Sequence, residues 1–283
     1  MLRVDDIQTQ LLKDRSGLIR HVIDTLDDRL GPEKVFSNSQ MQWETAAGVL
    51  MLLGPKPAAT ESGMEPCIVL NKRSLKVRQP GDLCFPGGRM APRIDPYLAR
   101  LFSLPFASLG LWRHWGNWKK SYRRQAELMS VIWATGLRES FEEMRLNPFG
   151  VRFLGPLAPQ PLVMFRRTIY PVVGWVKHQE RFFPNWEVEK VLYVPLRDLL
   201  NPKYYGRYRL RMTSNPGRGP IETIEDYPCF RLQNPHRKEV LWGATYRITI
   251  NFLESVFGFK PPGANTLPVI EGTLDETYLT GKR

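Results

Sequence analysis

Cysteine is scarce, with three in 283 residues, Cys67, Cys84 and Cys229, odd in number and far apart. They form no CxxC pair and no zinc spacing. That excludes a disulfide framework and a cysteine-based zinc module, and leaves free buried thiols in a reducing cytoplasm as the expectation. Long apolar runs are missing too. The most extended apolar-looking stretch, Leu98 to Trp112, is broken by Arg100 and Pro105. It falls short of the roughly 20 residues a membrane-crossing helix needs, so no span is expected. The opening Met1-Leu2-Arg3-Val4-Asp5-Asp6 lacks the apolar centre of a secretion signal. Repeats and low-complexity tracts are absent as well. Acidic residues are in deficit, 28 against 40 Lys plus Arg, which leaves a formal charge of +12. An excess of that sign favours anionic partners such as nucleotides, nucleic acid or an anionic membrane surface, although composition does not place the charge on the surface.

Apolar material is plentiful, at 42% hydrophobic and 11% aromatic residues, enough for the core of one elaborated α/β domain, with or without a small appendage. From about Val4 to Leu30, Ile7, Leu11, Leu18, Val22 and Leu26 recur at helical spacing before Gly31-Pro32. This predicts a helical extension over residues 1–45. The run from Ala46 to Leu53 reads as a buried strand, and Cys67 to Leu70 as a second that delivers Asn71, Lys72 and Arg73 at its end. A helix is predicted from about Ala126 to Met144, with strands near Val151–Leu157, Thr168–Lys177 and Val191–Pro195, and a last helix from Gly243 to Phe257. The chain after Lys260 reads as an irregular tail over 261–283. The compositional outlier is the stretch of about 96–130, where Phe102, Phe106, Trp112, Trp115, Trp118 and Tyr122 alternate with Arg and Lys.

Within the helix of about Ala126 to Met144, Glu139, Glu142 and Glu143 stand three and four residues apart, a spacing that gathers side chains on one face. Three such carboxylates repel unless a cation meets them. A hard divalent ion prefers carboxylate oxygen and commonly bridges to phosphate. By itself, E-x-x-E-E more often marks a solvated acidic face. The context upstream changes this, because Gly87-Gly88 forms a turn at which backbone can approach a phosphate closely.

A glycine turn followed by a helix carrying Arg138-Glu139 and Glu142-Glu143 resembles the Nudix box, G-x5-E-x7-R-E-U-x-E-E-x-G-U with U apolar. Leu146 falls in register with its end. Lys72-Arg73-Ser74 and the run Gly81 to Gly88 resemble the upstream signature of the coenzyme A diphosphatases of that superfamily. Leu154 to Leu157, Tyr170 to Gly174, Glu187-Val188 through Leu196, and Trp242 to Thr245 are similar to that subfamily as well, in the right order over about 46–257. The chain departs from the pattern in several places. Six residues separate Gly88 from Asp95, which stands at the position of the first glutamate, and forty-two separate Asp95 from Arg138. Ser140 and Arg145 replace an apolar residue and a glycine, and Gln79-Pro80 stands where these enzymes usually carry a histidine.

The resemblance implies an α/β Nudix fold, a mixed sheet sandwiched between helices over 46–260, with the outlier segment inserted inside the box. It implies that Glu139, Glu142 and Glu143 hold Mg²⁺ or Mn²⁺ against a diphosphate while Arg138 orients a neighbouring glutamate. Glu187 matches the subfamily's Glu-Val pair and is a candidate general base. Lys72, Arg73 and Arg78, with Gly87 and Gly88, are expected to meet the substrate, coenzyme A or an acyl derivative, giving phosphopantetheine and 3′,5′-ADP. Two other readings stay open: hydrolysis of capped RNA or a dinucleotide, and an impaired Nudix-fold module that binds nucleotide or RNA. For the insert, a lid stacking on adenine, a nucleic-acid surface, an oligomer contact and plain hydrophobic packing all fit the composition. Oligomeric state is not legible.

Overall fold

The computed structural model describes residues 10–36, 41, 43–55, 65–162, 166–177, 179, 181–214, 221–232, 239–263, 266–274 and 278. Among these, the larger sheet contains β1 (Ala46–Pro55), β2 (Pro66–Arg73), β3 (Leu83–Cys84), β4 (Gly87–Arg89), β5 (Val151–Pro156), β6 (Gln160–Leu162), β7 (Arg167–Val176) and β8 (Val188–Pro195). The smaller contains β9 (Tyr205–Ser214), β10 (Ile221–Arg231), β11 (Val240–Leu241) and β12 (Val269–Leu274). The helices are α1 (Arg15–Arg29), α2 (Pro32–Val35), α3 (Asp95–Phe102), α4 (Trp115–Ser121), α5 (Arg123–Met144), α6 (Leu196–Leu199) and α7 (Gly243–Phe257).

The larger sheet is mixed. β1 and β7 run parallel from Ala46 opposite Thr168 to Leu53 opposite Trp175, while β1–β2, β1–β4, β2–β3, β2–β8, β5–β7 and β6–β7 are antiparallel. β1 is central and covered on both faces, which is why it reads as an unbroken apolar run rather than an alternation. Gly48 and Leu50 face α5, where Cβ atoms built on Gly48 and Gly136 would stand 2.9 Å from Ile132 O and 3.2 Å from Leu50 Cβ. The opposite face carries α1 and α7, tied together by His21 Nε2 at 2.8 Å from Val256 O.

One detail of this sheet positions the site. β8 occupies one edge of β2 over Cys67 to Arg73, so β1 and β3 must share the other. Beyond Leu52 and Val69 the two strands separate, and the segment β3–Pro86–β4 wedges between them, with Leu50 N donating to Pro86 O at 2.9 Å.

The described part of the N-terminal segment packs onto the sheet: Leu18, Val22 and Leu26 of α1 are fully buried and a Cβ on Gly155 of β5 would meet Leu26 at 2.9 Å. Ile7, assigned to the same helix, lies outside the described residues. The chain after Lys260 is not wholly irregular, since β12 pairs parallel with β9 from Val269 opposite Arg207 to Leu274 opposite Met212. That second sheet, built on the long β9–β10 hairpin, was not expected.

The insert packs onto the domain as well. Trp112, Trp115 and Trp118 are buried rather than presented to a ligand. Trp112 packs edge-on against Phe153 of β5 at 5.0 Å and Trp118 at 5.4 Å, and Phe153 meets Trp133 of α5 at 4.9 Å. Trp118 Nε1 donates to Asp27 of α1 at 3.3 Å, and Trp133 Nε1 to Ser108 Oγ at 2.9 Å. The insert therefore bridges α5 to α1 around β5. Its tryptophans are spent on packing, while Tyr97 and Phe106 of the same segment stay exposed.

Candidate active site

The carboxylates meet the wedge where α5 passes over β4. Gly88 lies opposite Gly48, on the face toward α5, and a Cβ built there would stand 2.3–2.6 Å from the Glu139 carboxylate atoms. The carboxylate thus fills the space that any larger residue would claim. Glu143, one turn on, is held from two sides. Asn71 Nδ2 donates to its Oε2 at 2.7 Å, and Gly87 N approaches Oε1 at 3.5 Å. Burial pushes the Glu143 carboxyl up to about 7 against the hydrogen bond from Asn71, and the nearby charge of Glu139 adds to the rise. Glu139 is raised also, by burial first, with Arg138 opposing.

Arg138 touches every acidic member of the group except Glu143. Its Nε donates to Asp95 Oδ1 at 2.8 Å, its Nη1 to Glu139 Oε1 at 3.0 Å and to Glu142 at 3.3 Å, and its Nη2 to Arg89 O at 2.9 Å. Asp95 is wholly buried, and its Oδ2 also accepts from Ala91 N and Thr135 Oγ1, both at 2.7 Å. Asp95 thus anchors the loop after the glycine turn and fixes Arg138, which in turn orients Glu139. Glu142 is half exposed and rests on Arg138. Among the described residues, no group of three His, Cys, Asp or Glu side chains converges as a ready-made metal site. The expected trio is therefore split, with Glu139 and Glu143 over the glycine turn and Glu142 turned aside.

Of the expected basic residues, Lys72 does not face this group. It alternates with Asn71 on β2, so the pleat sends it to the other face, where Nζ pairs with Glu189 at 3.2 Å and Glu239 at 3.3 Å. Arg73 shares Asn71's face, but its Nε donates to Arg78 O at 2.8 Å and so braces the β2–β3 loop. Arg78 is exposed and, among the described residues, makes no side-chain hydrogen bond or ion pair. Two arginines not singled out from the sequence lie near it. Arg89 faces Ala47, and Arg167 stands two residues before Ile169, which also faces Ala47, so both lie on one side of the sheet. Burial, and then the charges of Arg89 and Arg78, hold Arg167 below its usual range.

Glu187 joins the rim through its backbone. The segment before it is tied to the end of α5, Phe183 N to Met144 O at 3.0 Å and Asn185 N to Glu143 O at 2.8 Å, and Ser74 N donates to Glu187 O at 2.7 Å. Among the described residues, its carboxylate makes no hydrogen bond or ion pair. Trp242, at the start of α7, gives its indole N–H to Asp82 Oδ1 at 3.2 Å, and Tyr278 hydroxyl donates to Oδ2. Burial pushes Asp82 up to about 6 despite these donors.

Known proteins bear on this arrangement. No family model matches the chain. The peroxisomal coenzyme A diphosphatase NUDT7 of Mus musculus is 29% identical over 170 residues, 59% of this chain and 53% of that protein. The chain resembles the Nudix hydrolases. It spans about half the length of the curated relative it matches. Solved Nudix structures align at low scores. The Nudix hydrolase RenU of M. smegmatis shares 14% identity over 55% of this chain and 73% of its own, at a TM-score of 0.36. A MutT/nudix family protein of Enterococcus faecalis shares 10% over 87% of this chain and 75% of its own, at 0.37. In Nudix terms, Arg145 at the box glycine adopts a left-handed φ of 57° that caps α5, the conformation that glycine adopts without strain. Ser140, at an apolar box position, is buried with its hydroxyl donating to Gly136 O at 2.6 Å.

Proposed function

We propose that the chain hydrolyses a diphosphate linkage in a nucleotide derivative, with coenzyme A or an acyl-coenzyme A as the leading substrate. The single observation that carries this is the pairing of Glu139 and Glu143 over Gly87-Gly88, in a chain whose curated relative is a coenzyme A diphosphatase. Two partly buried carboxylates, both pushed up by burial, with the charge of Glu139 adding to the rise at Glu143, are a donor set suited to a divalent cation such as Mg²⁺ or Mn²⁺. Glu142 would complete the set by leaving Arg138. When bound, the cation would neutralise phosphate charge and activate water.

The chain's own groups supply the rest. Asn71 and Gly87 N–H hold the Glu143 carboxylate, Arg138 holds Glu139, and Gly88 gives the Glu139 carboxylate its place beside the turn. Arg78, on the loop after β2, is the candidate for offering charge to the substrate's further phosphate groups, whereas Arg89 and Arg167, like Lys72, alternate to the sheet face away from α5. Glu187, with its carboxylate unengaged at the rim, is the candidate for taking a proton from the attacking water.

A second reading rests on the split trio: a nucleotide-binding module without turnover. The deciding experiment compares coenzyme A, acyl-coenzyme A, NADH, ADP-ribose and capped RNA with purified protein and Mg²⁺ or Mn²⁺. Release of phosphopantetheine that falls by roughly two to four orders of magnitude in Glu142→Gln and Glu143→Gln supports hydrolysis. Absent turnover on every substrate supports the module, and faster cleavage of capped RNA reassigns the substrate.

A further inference from the structure

A cavity of about 520 Å³, lined by none of the candidate-site residues, opens between α1, the insert and the ends of β5 and β7. Its volume is typical of a small-molecule site. Five cations line it: Arg15 and Arg20 from α1, Arg113 from the insert, Arg152 from β5 and Lys177 just after β7. One carboxylate, Asp24, stands among them and is taken by Arg113 at 2.6 Å. Arg15 reaches only the Lys177 carbonyl at 3.5 Å and lies over the ring of Trp175 at 5.7 Å. Among the described residues, Arg20, Arg152 and Lys177 make no ion pair. Like charges gathered in one concave wall raise the local positive potential and draw anions to it. The wall also holds an unmet need. Trp175 is wholly buried there, and its Nε1–H has no acceptor.

We propose that this cavity is a second, non-catalytic binding site for a small phosphate-bearing molecule. Phosphate oxygens would meet the guanidinium groups of Arg20 and Arg152 and the ammonium of Lys177, which suit them as multidentate and point-charge donors. Ile19 and Ile23 supply an apolar strip beside them for an organic portion. The parts come from the N-terminal helix, the insert and the central sheet, so occupancy would clamp those three together.

Isothermal titration of the full chain with inorganic triphosphate, without divalent metal, tests the assignment. Saturable binding is expected, weakening with added salt. It should weaken at least tenfold in the combined Arg20→Ala, Arg152→Ala, Lys177→Ala variant and persist in Arg89→Ala. Circular dichroism monitors folding. Should the combined variant not fold, Arg152→Glu alone, at an exposed strand position, serves and should weaken binding likewise. Wild-type affinity in the folded cavity variants, loss of binding in Arg89→Ala, or no saturable binding would each overturn the proposal.

Discussion

Gly87 and Gly88 are neighbours with opposite duties. A Cβ on Gly87 would stand 2.5 Å from the Gly48 carbonyl oxygen, an unyielding backbone atom, whereas one on Gly88 would meet only the end of the Glu139 side chain. Gly87→Ala should therefore lower the thermal midpoint sharply. Gly88→Ala should melt near wild type yet lose most turnover, because Glu139 is displaced; a normal rate in Gly88→Ala would show that Glu139 does not act from that place. Asp95 belongs with the structural group. Asp95→Ala strips Arg138 of its buried partner and leaves Thr135 and Ala91 without their acceptor, a change that costs about 3–5 kcal/mol for a buried pair. Denaturant unfolding should show that loss, and a midpoint shift near zero would refute the anchoring role. The glutamates and the glycine turn were legible because their spacing matches a motif. Asn71 was not, since a lone amide at a strand end has no period, and Lys72 was misplaced because only the register reveals which of two consecutive residues faces α5.

Among the elements, the insert teaches most about composition. Aromatics among Arg and Lys left a ligand surface, an oligomer contact and plain packing open, and helical spacing sends Trp115 and Trp118 inward and their basic neighbours Lys119 and Lys120 outward. An interleaved sequence is also what a two-faced appendage looks like. Removal of about Phe102 to Ser121 should consequently unfold or strongly destabilise the protein rather than raise KM at constant kcat. Trp112→Ala alone should cost about 3–5 kcal/mol, as for large aromatic truncations in a core. Calorimetry settles it, with an unshifted melt in the deletion reinstating a peripheral role. Strands β1, β5 and β7 and helices α5 and α7 were legible within a residue or a few, because each is long and strongly patterned. The β9–β10–β12 sheet was not. β9 and β10 are dense in charged and aromatic residues, and their pairing depends on partners remote in sequence.

For the whole molecule, Asp82 joins three remote stretches, the β2–β3 loop, the start of α7 and Tyr278 near the C-terminus. Its carboxyl, raised from 3.8 to about 6 chiefly by burial, holds its proton more tightly folded than unfolded. Stability from this group is full below about pH 4, where both states are protonated, and is lost as pH rises from there to about 6. Asp82→Asn, which cannot ionise, should flatten that part of the stability profile in urea titrations; an unchanged slope would mean that Asp82 is ionised throughout. Lastly, the parallel pairing of β1 with β7 has a consequence for biosynthesis. A strand emerging near residue 46 must wait for a partner more than a hundred residues later. At about 5–20 residues per second, that interval is of the order of ten seconds on the ribosome. Through it the most apolar segment of the chain has only antiparallel neighbours to shelter it, so the nascent protein should depend on chaperones more than its finished stability suggests.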